Sequence, residues 1–208
     1  MEVYRLGVKF FASDSASVSL PDFIPIFHTW IQKQLIEDHL LIDVHNYSHI
    51  QGGPGILLVA HEGNFSTDMA DTRLGLLYYR KQPLTGTAED SLASILKPAL
   101  QACGLLESEP SLGARLHFKT NELLIVSNDR LNAPNEEKTL ADLRPVLSTV
   151  LGRILGRANF KLNQVSQNPK ERFAVRVQTD ESVGVKDLLS RIKAPLGLLT
   201  ALFMASFR

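Results

Sequence analysis

Histidines and carboxylates in the first half of the chain are the residues best suited to chemistry. Five of the six histidines lie there, namely His28, His39, His45, His49 and His61. A histidine beside a carboxylate can exchange protons near neutral pH, and a hairpin that pairs residue 39 with residue 62 would place His39 beside Glu62. We therefore interpret His39, His61 and Glu62 as the polar lining of a ligand-binding pocket, with Trp30 as its apolar wall.

The same residues do not predict catalysis or a metal centre. Neither His39 with Glu62 nor His45 with Asp43 is accompanied by a nucleophile or an oxyanion hole, so we predict no catalytic residue. Metal ligands must converge on one ion, whereas His45 and His61 would lie about 16 Å apart along the predicted strands. We therefore predict no metal site and no cofactor.

Known motifs of enzymes are also missing from the chain. It contains no G-x-S-x-G, G-x-x-x-x-G-K-[ST] or G-x-G-x-x-G sequence, the signatures of many hydrolases and nucleotide-binding proteins. The single cysteine, Cys103, lies just before Gly104 at a predicted helix C-terminus, where the helix dipole disfavours a thiolate. Asp68 and Asp71 are interpreted as residues of a solvated loop. These features favour a protein that is not an enzyme.

Two similar helices must position the residues in question. "LPDFIPIFHTWIQKQL" runs from Leu20 to Leu35, and "LADLRPVLSTVLGRIL" runs from Leu140 to Leu155. The aligned segments share leucine, aspartate, proline, threonine and leucine, and their apolar residues have the spacing of an amphipathic helix. We predict Asp22 and Asp142 as the N-caps, with a proline at the third helical position of each helix.

The elements around these helices repeat as well. A strand precedes each helix, "VYRLGVKFF" or "NELLIVSND", and two apolar runs separated by turn residues follow it. The turns contain "GGPG" at 52–55 and "NP" at 168–169, which favour hairpins. Helices are predicted at 88–103 and 183–192, and an inserted strand at 74–80.

The repeated order of elements predicts an internally duplicated α+β fold built from two β-α-β-β-α units. Residues 1–110 form the first unit, with the extra strand, and residues 111–208 form the second, with an apolar C-terminal helix. Antiparallel sheets covered by helices would give a two-layer sandwich with a pseudo-two-fold axis. Because five histidines lie in the first unit only, the differences between the units are where a function is to be sought.

Composition narrows the classes of partner. The chain has 208 residues, with 22 basic and 22 acidic side chains and zero net charge. A globular chain without a basic surplus is not expected to bind nucleic acid. A single cysteine permits no internal disulfide, and the N-terminus lacks the features of a secretory signal. We therefore expect a cytoplasmic protein.

The C-terminal segment is a candidate for docking. Residues 194–207, "APLGLLTALFMASF", carry no charge but are shorter than the roughly 20 residues that span a bilayer. The segment could pack on its own domain, dock on another subunit or insert at a membrane surface. The leading hypothesis is a non-catalytic protein-interaction or scaffolding module of a soluble, bacterial-type globular protein, which binds a protein partner or forms a homo-oligomer. The alternative is a small-ligand-binding protein or a hydrolase-like enzyme with its His/Glu pocket in the first repeat.

Overall fold

The computed structural model describes residues 5–13, 18–83, 86–112, 115–156 and 159–193. The described strands are β1 Leu6–Ala12, β2 Leu41–Tyr47, β3 Gly55–Ala60, β4 Gly63–Asp68, β5 Gly75–Arg80, β6 Phe118–Ser127, β7 Phe160–Gln164 and β8 Ala174–Thr179. The described helices are α1 Phe23–Lys33, α2 Ala88–Glu107, α3 Glu137–Leu155 and α4 Val185–Lys193.

All eight described strands join one sheet in the order β2-β3-β4-β5-β1-β6-β8-β7, and every pairing is antiparallel. The prediction of an α+β fold with antiparallel strands is therefore confirmed. β1 and β6, which precede α1 and α3, pair with each other in the middle of the sheet. None of the helices in the described part of the chain combines the length and apolar character that a bilayer crossing requires.

The sheet has two faces with different surroundings. On one, which we call the core face, Val8 lies opposite both Tyr78 and Ile125, and these side chains belong to a core cluster that also receives side chains from all four helices. Lys9 lies opposite Leu77 and Leu124 on the other face, which we call the second face. Leu77 is buried but lies outside the core cluster, as do the other buried apolar residues of the second face.

Both predicted hairpins are present. β2 pairs with β3 across the "GGPG" turn, and β7 pairs with β8 across the turn that contains "NP". Gly55 has a φ of 63°, and a Cβ atom at this position would lie 2.2 Å from the carbonyl oxygen of Thr67. Only glycine fits both the backbone conformation and this close approach, which explains why the turn ends in this residue.

Helix α1 begins where the sequence predicts. Phe23 is its first residue and follows Asp22, so Pro25 occupies the third helical position, where a missing N–H costs little. The Asp22 carboxylate accepts a hydrogen bond from the Ser19 backbone N–H at 3.1 Å. This hydrogen bond spans a short 3₁₀ turn, Leu20–Asp22, which leads directly into the helix.

Helix α3 begins earlier than predicted. Its first residue is Glu137, so Asp142 lies inside the helix and the prediction that it is the N-cap was wrong. Pro145 also lies inside the helix, where it cannot donate a hydrogen bond to the carbonyl of Ala141. Ala141 and Pro145 are both exposed, and the carbonyl oxygen of Ala141 can bind water instead.

The strand β4 was not predicted. Its sequence, "GNFSTD", lacks a strict alternation of apolar and polar residues, because its side chains are buried on both faces of the sheet. Asp68 ends this strand and is buried, so the prediction of a solvated loop was wrong for that residue. Two strands, β4 and β5, thus lie between the first hairpin and β1, where one was expected.

Candidate functional site

The predicted His/Glu cluster lies at the base of the first hairpin. The Nδ1 atom of His39 lies 2.9 Å from the carbonyl oxygen of Glu37, and Nε2 lies 2.8 Å from the hydroxyl of Tyr78. A carbonyl oxygen can only accept, so Nδ1 carries the proton and Nε2 accepts a hydrogen bond from Tyr78. The Glu62 carboxylate accepts a hydrogen bond from the Leu40 backbone N–H at 2.9 Å.

Burial sets the protonation states in this cluster. It lowers the pKa of His39 and raises the pKa of Tyr78 to about 12. Burial acts to raise the pKa of Glu62, but the hydrogen bond from Leu40 and the nearby histidines outweigh it, and the pKa is lowered. At neutral pH His39 is therefore a neutral acceptor, Tyr78 a neutral donor and Glu62 an ionised acceptor. Each has a hydrogen-bonding partner within the protein.

The four residues predicted to form a pocket differ in their surroundings. His39 and Glu62 lie close enough to interact electrostatically, and His61 acts on Glu62 in the same way. The His61 side chain is exposed. Trp30, in contrast, is 2% exposed and packs in the core, with its ring centroid 5.2 Å from that of Phe27. The structure thus brings three of the predicted residues together and assigns Trp30 to the core.

The second histidine–carboxylate pair, His45 with Asp43, is exposed to solvent on the same hairpin. His45 Nε2 lies 3.4 Å from the Asp43 carboxylate, and both side chains are exposed. A bulge between Leu41 and Asp43 shifts the strand register, so His45 pairs with Leu57 and not with residue 56, its partner in the register that pairs residue 39 with residue 62. Among the described residues, no three His, Cys, Asp or Glu side chains are placed to hold one metal ion.

The lowered pKa of His39 predicts a pH-dependent stability. In the unfolded chain His39 binds a proton near its ordinary pKa of about 6.5, whereas the folded protein binds it only at lower pH. Stability from the neutral histidine is thus present above about pH 6.5 and is lost as the pH falls through and below that value. We expect His39→Gln to reduce the fall in the free energy of unfolding between about pH 7 and pH 5.

Chemical denaturation at the two pH values measures this effect. The exposed residue His49 supplies the matched control, and His49→Gln should leave the fall unchanged. An equal fall in the wild type and in His39→Gln would contradict the assignment of His39 as a half-buried, neutral acceptor.

A second polar cluster, which sequence reasoning missed, crosses the middle of the second face. Lys9 is 2% exposed, forms an ion pair with Asp68 and donates a hydrogen bond to the carbonyl of Arg73 at 2.8 Å. A buried ammonium group is tolerated only when it is paired and hydrogen-bonded. The sequence did contain a signal of a buried charge, since Lys9 interrupts the apolar strand "LGVKFFA".

A second ion pair continues this cluster. The Arg73 guanidinium donates two hydrogen bonds to the Glu122 carboxylate, at 2.9 and 2.7 Å, and lies 3.9 Å from the centroid of the Phe11 ring. The hydrogen bonds from Arg73 lower the pKa of Glu122. We call the five residues Lys9, Phe11, Asp68, Arg73 and Glu122 the charged ridge. The planar, two-point contact between Arg73 and Glu122 fixes the orientation of both side chains.

One hollow lies on each side of the charged ridge. The first, of about 570 Å³, is lined by the cationic residues Arg5, Arg80, Lys81 and Arg172, and the carboxylate in its lining is that of Asp68. We call it the basic hollow. The second, of about 590 Å³, is lined by Lys119, Lys161, Glu122 and Asp180 together with uncharged polar residues, and we call it the polar hollow. The two hollows therefore differ in charge.

Comparisons with known proteins were made for the whole chain. No protein-family model matches it, and neither a curated protein nor a solved structure shows significant similarity to it.

Proposed function

We propose that this protein is a non-catalytic interaction module of the cytoplasm that docks an acidic segment of a partner protein on the second face of its sheet. The observation that carries the proposal is the charged ridge flanked by the basic hollow and the polar hollow. Leu124 lies beside Lys9 on the same face, is partly exposed and takes no part in the core cluster, and Leu77 lines the basic hollow. This face thus combines apolar area with fixed charges, as protein interfaces do.

The charged ridge favours binding over catalysis. Its four charged side chains are paired with one another, so this face is fixed before a partner arrives and loses little conformational freedom on binding. In the His39 cluster, both ring nitrogens are hydrogen-bonded within the protein. A histidine in that state has no lone pair left for a substrate, which supports a non-catalytic protein over the alternative of a His/Glu enzyme.

Charge favours an acidic partner over a second copy of the chain. Four cationic side chains line the basic hollow, and the Asp68 carboxylate there is already paired with Lys9. A symmetric homodimer brings the same patch of both subunits together, so this face would set cations against cations. A segment that carries carboxylates would instead be attracted to the hollow. Zero net charge does not favour a nucleic acid.

The two-layer, duplicated architecture is part of the same proposal. In both helices of the repeat a threonine hydroxyl donates to a proline carbonyl one turn earlier, Thr29 to Pro25 at 2.9 Å and Thr149 to Pro145 at 3.0 Å. β2 pairs with β3 in the first unit as β7 pairs with β8 in the second. These correspondences support units at residues 1–110 and 111–208, with the four helices as one layer and the sheet as the other.

A binding assay with a defined probe tests the docking proposal. We expect a short fluorescent peptide of glutamate, serine and leucine to bind, and its lysine counterpart not to bind. Leu124→Glu puts a negative charge on the second face and should weaken binding by about tenfold or more. Leu131→Glu is the matched control, because Leu131 is 94% exposed in the β6–α3 loop. Fluorescence anisotropy measures both affinities.

Two outcomes would reject docking on this face. One is equal binding of the acidic and basic peptides, and the other is equal weakening by Leu124→Glu and Leu131→Glu. Self-association in analytical ultracentrifugation that Leu124→Glu abolishes would identify a second copy as the occupant instead.

The apolar C-terminal segment, residues 194–207, lies outside the described residues. We propose that it adds a second docking element beyond α4. Deletion of residues 194–208 should then weaken a complex with a partner or a second copy and leave the circular dichroism of the fold unchanged. An unchanged complex after the deletion would remove the segment from the proposal.

A further inference from the structure

We infer that the basic hollow is a binding pocket for the carboxylate of an organic acid that has an apolar body and a hydrogen-bond donor. The inference deepens the proposed docking function, because an acidic partner segment would present the same group. The pocket is nevertheless concave and of a size that suits a small molecule, since such sites measure about 300–1,000 Å³.

The body of the ligand would lie on an apolar floor. Leu57, Leu77 and Tyr79 line the hollow, and the pairing of β5 with β4 places Leu77 opposite Ser66 and Tyr79 opposite Asn64. β3 and β5 therefore supply the apolar side chains, and β4 between them supplies Ser66 and Asn64. Side chains on strands are held more rigidly than those on loops, and an aromatic or aliphatic body could bury against them.

The carboxylate would be held by cations at the edge of this floor. Arg172 donates a hydrogen bond to the Tyr79 hydroxyl at 2.8 Å, and its guanidinium carbon lies 5.9 Å from the centroid of the Tyr79 ring. This contact uses one of the five N–H donors of a guanidinium group, so Arg172 is oriented and can still bind a carboxylate at two points. Lys81 and Arg5 also line the hollow.

A buried acceptor indicates that the ligand also carries a donor. The Oδ1 atom of Asn64 is buried and has no hydrogen-bonding partner within the described part of the chain. A buried acceptor without a hydrogen bond is destabilising, and a ligand hydroxyl or amide N–H would supply the missing bond. The dianion of a phosphate monoester offers only acceptors at its charged group and would leave Asn64 unpaired. An organic acid with a hydroxyl group supplies both a carboxylate for the cations and a donor for Asn64.

The test uses four small probes. 4-Hydroxybenzoate carries the carboxylate and the donor, benzoate lacks the donor, 4-hydroxybenzamide lacks the charge, and inorganic phosphate lacks the apolar body. We expect saturable binding of 4-hydroxybenzoate in an NMR titration, with benzoate weaker and the other two weaker still. Asn64→Leu should remove the difference between 4-hydroxybenzoate and benzoate, because the acceptor for the hydroxyl group is gone.

Matched charge variants test the location of the site. The double variant Lys81→Gln with Arg172→Gln removes two cations from the basic hollow and should weaken 4-hydroxybenzoate by about tenfold or more. Lys119→Gln with Lys161→Gln removes the same charge from the polar hollow and should have little effect. All four residues lie outside the core cluster, so both variants should fold.

The outcomes separate this inference from the docking function. If none of the probes binds saturably, or if both double variants weaken binding equally, the carboxylate pocket is rejected even where the acidic peptide still binds. If 4-hydroxybenzoate binds as expected and the acidic peptide does not, the pocket stands and the docking function falls.

Discussion

Replacing Asp68 with alanine is expected to lower the free energy of unfolding by about 3–5 kcal/mol. The substitution leaves the ammonium group of Lys9 in a site that is 2% exposed, without the carboxylate that neutralises it. Its hydrogen bonds to the carbonyls of Arg73 and Ala70 satisfy the N–H groups but do not cancel the charge. Urea denaturation at neutral pH measures the loss.

The matched control removes both charges together. In Lys9→Met with Asp68→Leu no buried charge remains, so most of the stability lost in Asp68→Ala should return, as it often does when a buried ion pair is replaced by apolar residues. A loss of less than about 1 kcal/mol in Asp68→Ala would mean that this pair is solvated like an ordinary surface salt bridge. The double variant also separates the role of the charge from that of the packed volume.

Replacing Trp30 with alanine is expected to cost about 3–5 kcal/mol of stability, which is typical for truncating a large aromatic residue in a core. Trp30 is 2% exposed and packs on Phe27 in the core cluster. His28→Ala is the control on the same helix, because His28 is exposed, and it should change stability by about 0.5 kcal/mol or less. Thermal or chemical denaturation compares the two variants.

The Trp30 result also bears on the predicted pocket. A pocket wall that is open to a ligand would tolerate truncation better than a packed core position does, because water could fill the space that the ring vacates. A loss as small as that of His28→Ala would therefore contradict the core assignment and return Trp30 to the ligand-binding candidates beside His39.

Turn chemistry and periodicity made much of the fold predictable. "GGPG" and "NP" lie at the two hairpin turns because glycine and proline meet backbone requirements that other residues do not. The amphipathic spacing located α1 and α3 for the same local reason. Proximity of His39 to Glu62 also followed from the hairpin, because the predicted register holds at Leu41 and Ala60. The bulge after Leu41 was not predictable, since nothing in its residue types marks it.

The charge pairs of the second face were not predictable, because they join distant parts of the chain. Lys9 and Asp68 are 59 residues apart, and Arg73 and Glu122 are 49 apart. Lys9 stands out in its apolar strand, but the other three charged residues resemble solvated side chains until the sheet order is known. β4 was missed for a related reason, since a strand that is buried on both faces lacks the alternation by which strands are recognised. The start of α3 shows that a proline does not always mark the first turn of a helix.

Methyl NMR with the acidic peptide tests most directly whether a partner docks on the second face. Neighbouring residues on a strand provide an internal control. On β5, Leu77 lies on the second face and Leu76 in the core cluster, and on β6, Leu124 lies on the second face and Ile125 in the core cluster. We expect the methyl signals of Leu57, Leu77 and Leu124 to shift on titration, and those of Leu76 and Ile125 to stay in place. Shifts confined to core methyl groups, or to residues around His39, would show that the peptide binds elsewhere and would contradict docking on this face.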